Sequence, residues 1–123
     1  MGHGVRGHST PAARIDEQTA AAVAATMQAL ATPSRLRILG RLRQSPAAVG
    51  ELAADVGMEQ SAVSHQLRML RHLGLVTGQR AGRTVTYALF DSHVAMLLDE
   101  AVYHAEHLRL GVRDTPATST GVR

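Results

Sequence analysis

The spacing of apolar residues predicts two helices in the first part of the chain. The first runs from about Asp16 to Ala31 and is rich in alanine. Its apolar residues recur at the i, i+4, i+7 spacing of one helix face, at Val23, Met27 and Leu30. The second begins at Thr32-Pro33, because threonine can cap a helix and proline fits its first turn, and it ends near Gln44. Its inward-facing residues are predicted to be Leu36, Leu39 and Leu42.

A pair of shorter helices comes next in the pattern. One covers about Val49 to Val56 and stops at Gly57, since glycine readily adopts the left-handed conformation that ends a helix. The other covers about Glu59 to His72 and stops at Gly74. The buried stripe of this helix is predicted to be Val63, Leu67 and Leu70. Two helices joined by so short a turn are typical of a helix-turn-helix.

The pattern then changes from helical to extended. Strands are predicted over residues 75–79 and 84–89, with a turn at Ala81-Gly82 between them. A last helix runs from about Ser92 to Leu108, with Asp91 as its N-cap. The whole order predicts a mainly α fold of the α+β kind, a winged helix-turn-helix followed by a C-terminal helix suited to dimerisation.

Length and composition favour one such domain. The chain has 123 residues, of which 45% are hydrophobic and only 2% aromatic. We expect a flexible N-terminal arm over residues 1–14, the DNA-binding and dimerisation domain over residues 15–108 and a flexible tail over residues 109–123. A domain this small has little room for an organic cofactor or substrate, and it often completes its core by forming a homodimer. We therefore expect no enzyme and no organic cofactor.

Two absences narrow the function further. The chain contains no cysteine, which excludes a disulfide framework and every thiolate metal site. No apolar run approaches the ~18 residues of a membrane span, and the first residues lack the apolar stretch of a signal peptide. A cytoplasmic protein that does not interact with membranes is expected.

Charge is unevenly distributed along the chain, whose formal net charge is +3. Every basic side chain is an arginine, whose planar fork binds two acceptors on phosphate or guanine. Residues 35–83 include eight arginines and three acidic residues, a net charge of +5, whereas residues 91–107 include four acidic residues and no arginine. A basic middle is typical of proteins that bind nucleic acid. An acidic segment that carries histidines favours cations.

The helix predicted after Gly57 has the pattern of a DNA-reading helix. Opposite its buried stripe lies a polar stripe whose short side chains are near the N-terminal end, where a recognition helix meets base edges. The predicted DNA contacts of this helix are Gln60, Ser61, Ser64, His65 and Arg68. Arg80 and Arg83 flank the tip of the hairpin, where they can reach backbone phosphates or a minor groove. Double-stranded DNA is the predicted partner.

The last helix and its N-cap carry four side chains of the kinds that bind transition metals. They are Asp91, His93, His104 and His107. His93 and His104 share one face of the helix but lie ~16 Å apart along its axis. One ion with ~2.1 Å bonds cannot join them within a single chain. An antiparallel partner helix removes this difficulty and creates two equivalent sites about a two-fold axis. Three imidazoles and a carboxylate suit zinc, cobalt or nickel.

Two motifs resemble the ArsR/SmtB family of metalloregulatory repressors. They are LATPSRL at residues 30–36 and SAVSHQL at residues 61–67, and the likeness covers about residues 15–108. The resemblance implies that the metal-free dimer binds an operator and represses a metal efflux or resistance gene, and that metal binding lowers its affinity for DNA. It also implies a metal site between protomers on the fifth helix, at Asp91, His93, His104 and His107. The family's other site uses cysteines, and ELAAD at residues 51–55 has none.

A nickel- and cobalt-sensing branch of this family provides a more detailed comparison. MGHG at residues 1–4 and MEQSAVSHQLR at residues 58–68 are similar to it. Removal of Met1 leaves a free amine on Gly2, and the resemblance implies that the N-terminal arm joins the site through that amine and His3. This raises four ligands to six and favours Ni(II) or Co(II) over tetrahedral Zn(II). His8 is a possible auxiliary ligand. The branch also has histidines in its tail, where this chain has Arg109 and Pro116, so no tail ligand is assigned.

Three alternatives remain open from the sequence. One is a zinc-sensing repressor of the same family. Another is a winged-helix regulator without metal input. The third is a small metal-dependent hydrolase, since three histidines and an aspartate can hold a catalytic zinc ion. A site on a helix–helix seam offers no pocket for a substrate, however, and no separate general base is evident beside it.

Overall fold

The computed structural model describes residues 12–111, which form five helices and a small three-stranded sheet. In chain order these elements are α1 (Glu17–Ala29), α2 (Pro33–Gln44), β1 (Ala47–Ala48), α3 (Val49–Val56), α4 (Gln60–His72), β2 (Val76–Ala81), β3 (Thr84–Leu89) and α5 (Ser92–Leu110). Helices α3 and α4 are the helix-turn-helix, and β2 and β3 form the wing. The fold predicted from the pattern of apolar residues is therefore confirmed.

Most helix ends coincide with the expected signals. Asp16, which was predicted as the first residue of this helix, is instead the N-cap of α1 and accepts a hydrogen bond from the Thr19 amide at 2.8 Å. Gly57 ends α3 with a φ of 67°, the left-handed conformation that glycine adopts without strain. Thr32 occupies the N-cap position of α2, but its side chain makes no capping hydrogen bond. Helix α5 continues to Leu110, two residues past the predicted end, and stops at Gly111.

The core lies where α2, α3, α4 and the sheet meet. Its fully buried large side chains are Ile38, Leu39, Leu52, Val63, Leu67, Leu70 and Val76. The prediction for α2 was wrong at one position: Leu36 is 41% exposed, and Ile38 is buried together with Leu39 and Leu42. In α1 the predicted apolar face is also exposed at Val23 and Met27, and of this helix only Ala29 is buried.

The sheet is antiparallel, with strand order β1-β3-β2. The two-residue strand β1 was not predicted, because Ala47 and Ala48 follow a proline and show no alternation. Strand β2 begins one residue later and ends two residues later than expected. Gly78 lies within it, and a Cβ there would be 3.1 Å from a Tyr87 ring carbon and 3.2 Å from a Val85 methyl. Glycine thus lets the two strands of the wing pack closely.

None of the helices within residues 12–111 combines the length and the apolar character needed to cross a bilayer.

Candidate nucleic-acid interface and metal ligands

Helix α4 separates its apolar and polar residues cleanly. Val63, Leu67 and Leu70 are buried against the core. Of the predicted DNA contacts on this helix, Ser64 is half-buried and the others are exposed, namely Gln60, Ser61, His65 and Arg68. Gln60 and Ser61 at the start of α4 are open to solvent, so their side chains are available to base edges and phosphates. That they touch DNA stays a prediction.

The wing carries the other two predicted DNA contacts. Arg80 lies in β2, and its guanidinium is 3.5 Å from the Gly82 carbonyl oxygen at the turn. Arg83 lies between Gly82 and β3, and both arginines are exposed. Because only Ala81 and Gly82 separate them in the chain, the two charges lie at the same end of the wing. This is the arrangement needed to grip phosphates beside a recognition helix.

Not every arginine in the basic middle of the chain is free of acidic partners in the folded domain. Arg41 pairs with Asp55 of α3 at 2.6 Å. Arg43 donates from Nε and Nη2 to the two carboxylate oxygens of Asp99 in α5, at 3.0 and 2.9 Å. These hydrogen bonds lower the pKa of Asp99 and raise that of Arg43. Two of the eight arginines between residues 35 and 83 are therefore neutralised within the protein.

The remaining positive charge is concentrated near α4 and the wing. Exposed arginines there are Arg68, Arg71, Arg80 and Arg83. These exposed charges, with exposed Gln60 and Ser61 at the start of α4, make α4 and the wing the basic part of the domain, which is the property that attracts a DNA backbone. Arg41 and Arg43 are paired with acidic residues, so they add less positive charge to the rest of the surface.

At the start of α5, two of the four candidate metal ligands are in contact. Asp91 Oδ1 accepts hydrogen bonds from the amides of His93 and Val94, at 3.0 and 3.2 Å. Its Oδ2 lies 3.3 Å from His93 Nδ1. Partial desolvation raises the pKa of Asp91, but the hydrogen bonds from His93 and Val94 outweigh it and leave the pKa below its usual value. The N-cap thus presents an anionic oxygen beside an imidazole, a fitting pair of ligands for a divalent cation.

The other two candidate ligands lie near the end of α5. His104 is exposed and His107 is half-buried one turn further on. The ring of His107 packs on that of Tyr103, with centroids 4.3 Å apart and planes inclined at 49°. Side chains three residues apart on a helix share a face, so both imidazoles can approach one ion.

One chain does not bring the two pairs together. Among residues 12–111 no three histidine, aspartate or glutamate side chains are grouped closely enough to hold a metal ion. The eleven-residue step from His93 to His104 spans ~16 Å of helix, as the sequence predicted. The donor types fit a transition metal, and the geometry fits one only if a second chain supplies the missing half. Gly2, His3 and His8 lie outside the described residues.

Sequence reasoning missed a set of polar contacts between the start of α2 and α4. The Ser34 hydroxyl contacts the side-chain amide of Gln66, and the Arg35 guanidinium reaches both the end of α1 and Met69. The contacts of Ser34 with Gln66 and of Arg35 with Met69 join residues more than thirty positions apart, and no short-range signal indicates such a pairing.

Comparison with known proteins places the chain in a family. The family model for bacterial regulatory proteins of the arsR family matches residues 32–77. The HTH-type transcriptional regulator NmtR of Mycobacterium tuberculosis is 65% identical over 114 residues, which cover 93% of this chain and 95% of that protein.

Solved structures agree with this assignment and confirm the fold. The solution structure of apo-NmtR has a TM-score of 0.69 and 62% identity, and the match covers 95% of this chain and all of that one. The homodimeric winged helix-turn-helix DNA-binding domain Mb0332 from Mycobacterium bovis has a TM-score of 0.69 and 33% identity, covering 78% of this chain and 91% of that one. The protein described here therefore belongs to the arsR family of bacterial regulatory proteins and is a winged helix-turn-helix transcriptional regulator.

Proposed function

We propose that this protein is a metal-responsive transcriptional repressor whose metal-free dimer binds operator DNA and whose affinity for DNA falls when Ni(II) or Co(II) binds between the protomers. One observation carries this proposal: the chain holds two incomplete halves of a ligand set at opposite ends of one helix. Neither half suffices alone, and a two-fold dimer supplies each with its complement. A bacterial protein that acts on the chromosome in this way functions in the cytoplasm.

The DNA-binding part of the proposal relies on α4 and the wing. In a winged helix-turn-helix the second helix of the motif enters the major groove. Gln60, Ser61 and Ser64 at its start would meet base edges, where amide and hydroxyl groups can donate and accept hydrogen bonds. Arg80 and Arg83 would grip phosphates or the adjacent minor groove, and they would set affinity more than sequence preference.

The exposed apolar residues of α1 and α5 support a homodimer. Val102 and Leu108 in α5 are 62% and 68% exposed, and Val23 and Met27 form an apolar face on α1. A groove of about 400 Å³ lies between α2 and α5, with Leu36 and Val102 among its lining residues. Covering these surfaces with a second copy removes apolar area from water, which is the main favourable term in association. It also accounts for Leu36, which the single chain leaves exposed.

An antiparallel pair of α5 helices would complete the metal site. Asp91 and His93 of one protomer would then face His104 and His107 of its partner, giving three imidazoles and one carboxylate at each of two sites. The bound ion supplies a positive charge and a fixed coordination geometry that join the two helices. Asp91 contributes an anionic oxygen held by backbone amides, and Tyr103 supports the ring of His107.

Sensing would follow from the rigidity of the dimer. A dimer that reads two half-sites must hold its recognition helices ~34 Å apart, one turn of DNA. Joining the α5 helices at both ends favours one arrangement of the protomers, and if that arrangement changes this spacing, DNA affinity falls. Because the coupling is reciprocal, DNA also weakens metal binding, and a coupling of ~1–3 kcal/mol is typical.

The choice of metal depends on the number of ligands. Four ligands from α5 and its N-cap suit tetrahedral Zn(II), whereas six favour octahedral Ni(II) or Co(II). We assign the two further ligands to the Gly2 amine and the His3 imidazole, because the start of the chain resembles the nickel- and cobalt-sensing branch. Zn(II) is the alternative if the arm takes no part.

The role of the wing is tested with Arg83→Ala. A duplex selected by the wild-type protein from a random DNA library serves as the probe, and its affinity is measured by fluorescence anisotropy across a range of salt concentrations. Each phosphate contact contributes about one to the salt slope, so a dimer that lacks both Arg83 side chains should have a slope smaller by about two. Arg109→Ala, which removes an arginine paired with Glu106, is the control and should bind as wild type. An unchanged slope for Arg83→Ala would contradict the role given to the wing.

The metal response is tested with His104→Ala. The variant should bind the selected duplex as tightly as wild type without metal, because His104 is far from α4 in the chain and exposed on α5. Nickel should release the wild-type protein from DNA, with a change in affinity of roughly 5- to 150-fold, and should leave the variant bound. His72→Ala removes an exposed histidine of α4 instead and should keep the response. Release of His104→Ala by nickel would show that the assigned site is wrong.

The arm is tested by the visible spectrum of the Co(II) complex. Six-coordinate cobalt has weak absorption bands and four-coordinate cobalt has intense ones, so the full chain should give weak bands. Deleting Gly2 and His3 should convert them to intense bands, because only the four α5 ligands would remain. His8→Ala should leave the spectrum weak. Intense bands from the unaltered chain would favour a zinc sensor.

A further inference from the structure

Helix α1 is attached to the rest of the chain mainly at its C-terminal end. Ala29 is its one buried residue, and the rest of the helix, Glu17–Gln28, is exposed or half-buried. The carbonyl oxygen of Ala29 accepts a hydrogen bond from Arg35 Nη1 at 3.1 Å. The corner between α1 and α2 therefore determines the direction in which α1 projects.

The same corner also contacts the recognition helix. Gln66 Nε2 donates to the Ser34 hydroxyl at 3.0 Å, and that hydroxyl lies 3.3 Å from Gln66 Oε1. Arg35 Nη2 reaches the sulfur of Met69 at 3.8 Å. Gln66 and Met69 are three residues apart in α4, both half-buried at the border between its apolar and polar faces. We call Ser34, Arg35, Gln66 and Met69 the α2–α4 clasp.

Stability alone does not explain the arginine in this clasp. Arg35 Nε is the one buried side-chain nitrogen or oxygen among residues 12–111 that lacks a hydrogen-bond partner. The guanidinium of Arg35 donates to a carbonyl oxygen and to a thioether sulfur. Both are weaker acceptors for a guanidinium than a carboxylate would be. A buried donor without a partner lowers stability, and an apolar side chain of similar length would avoid this cost. Arg35 does, however, contact α1 and α4 at the same time, through Ala29 and Met69.

We propose that Ser34 and Arg35 are positioning residues for DNA binding, which tie the recognition helix α4 to the end of α1. The inference rests on the dimer of the proposed function, in which the apolar face of α1 packs against the second copy. Packing of α1 in the dimer then sets the orientation of α4 through the clasp. Neither residue needs to touch DNA to have this effect.

The clasp also assigns a role to Gln66. This side chain directly follows His65, and glutamine is a common reader of adenine. Its amide is already bonded to Ser34 and half-buried, so it is held away from the exposed stripe that carries Ser61 and His65. We therefore count Gln66 among the positioning contacts and not among the base contacts.

The decisive variant is Arg35→Met, which keeps the length of the side chain and removes its donors. We expect a melting temperature equal to or above that of wild type, an unchanged dimer mass, and an affinity for the selected duplex that is lower by roughly 5- to 150-fold without metal. The salt slope should equal that of wild type, because no phosphate contact is lost. Arg37→Met, two residues further along α2 and exposed, is the matched control and should bind with wild-type affinity.

A second pair of variants keeps the test independent of Arg35. Ser34→Ala should weaken DNA binding with an unchanged salt slope, and Ser34→Thr should restore it by returning the hydroxyl. Two results would overturn the proposal. A salt slope lower by about two for Arg35→Met would mean a direct phosphate contact, and wild-type DNA affinity with a lower melting temperature would mean a purely structural role. DNA affinity and melting temperature are both measured on metal-free protein. The test of the clasp therefore stands even if the proposed metal response is not observed.

Discussion

The separation of the candidate metal ligands along α5 is the constraint from which the proposed function follows. Asp91 and His93 begin the helix, and His104 and His107 lie near its end. A helix is rigid over this ~16 Å, so the two pairs cannot meet around one ion within a chain. If these residues bind a metal as proposed, they can do so only in a dimer, and an ion that bridges two protomers would act on their relative orientation. A repressor that reads two half-sites is sensitive to that orientation.

The proposed dimer also accounts for the exposed apolar surface of the single chain. Met27 of α1, Leu36 of α2 and Val102 of α5 are all large side chains left open to water. Sequence periodicity predicted helices at these positions correctly, but for Leu36 it assigned the burial to the core of one chain. The apolar pattern predicts that a residue will be buried, but it does not distinguish burial within one chain from the burial in a dimer that we propose for Leu36. Leu36, at the groove between α2 and α5, is where this distinction matters.

Local signals were sufficient to predict most of the secondary structure, whereas the roles of the candidate metal ligands stay predictions. Gly57 and Asp91 fix helix ends through interactions within a few residues, so the sequence predicts them well. The spacing of histidines on a helix follows from its geometry alone. Contacts between distant segments were not predictable: the pairing of Arg43 with Asp99 spans 56 positions and that of Ser34 with Gln66 spans 32. These contacts decide which arginines remain available to DNA and how α4 is held.

The most direct test of the central claim mixes two variants that each lack one half of the site. Asp91→Asn/His93→Ala keeps an N-cap for α5 but loses the first pair of ligands, and His104→Ala/His107→Ala loses the second. Each homodimer should bind no Co(II) tightly. When the two are unfolded and refolded together, random pairing gives heterodimers in half of the dimers, each with one intact site, so the mixture should bind about a quarter of the wild-type amount. Failure of the mixture to bind cobalt, or full binding by either variant alone, would contradict a site shared between protomers.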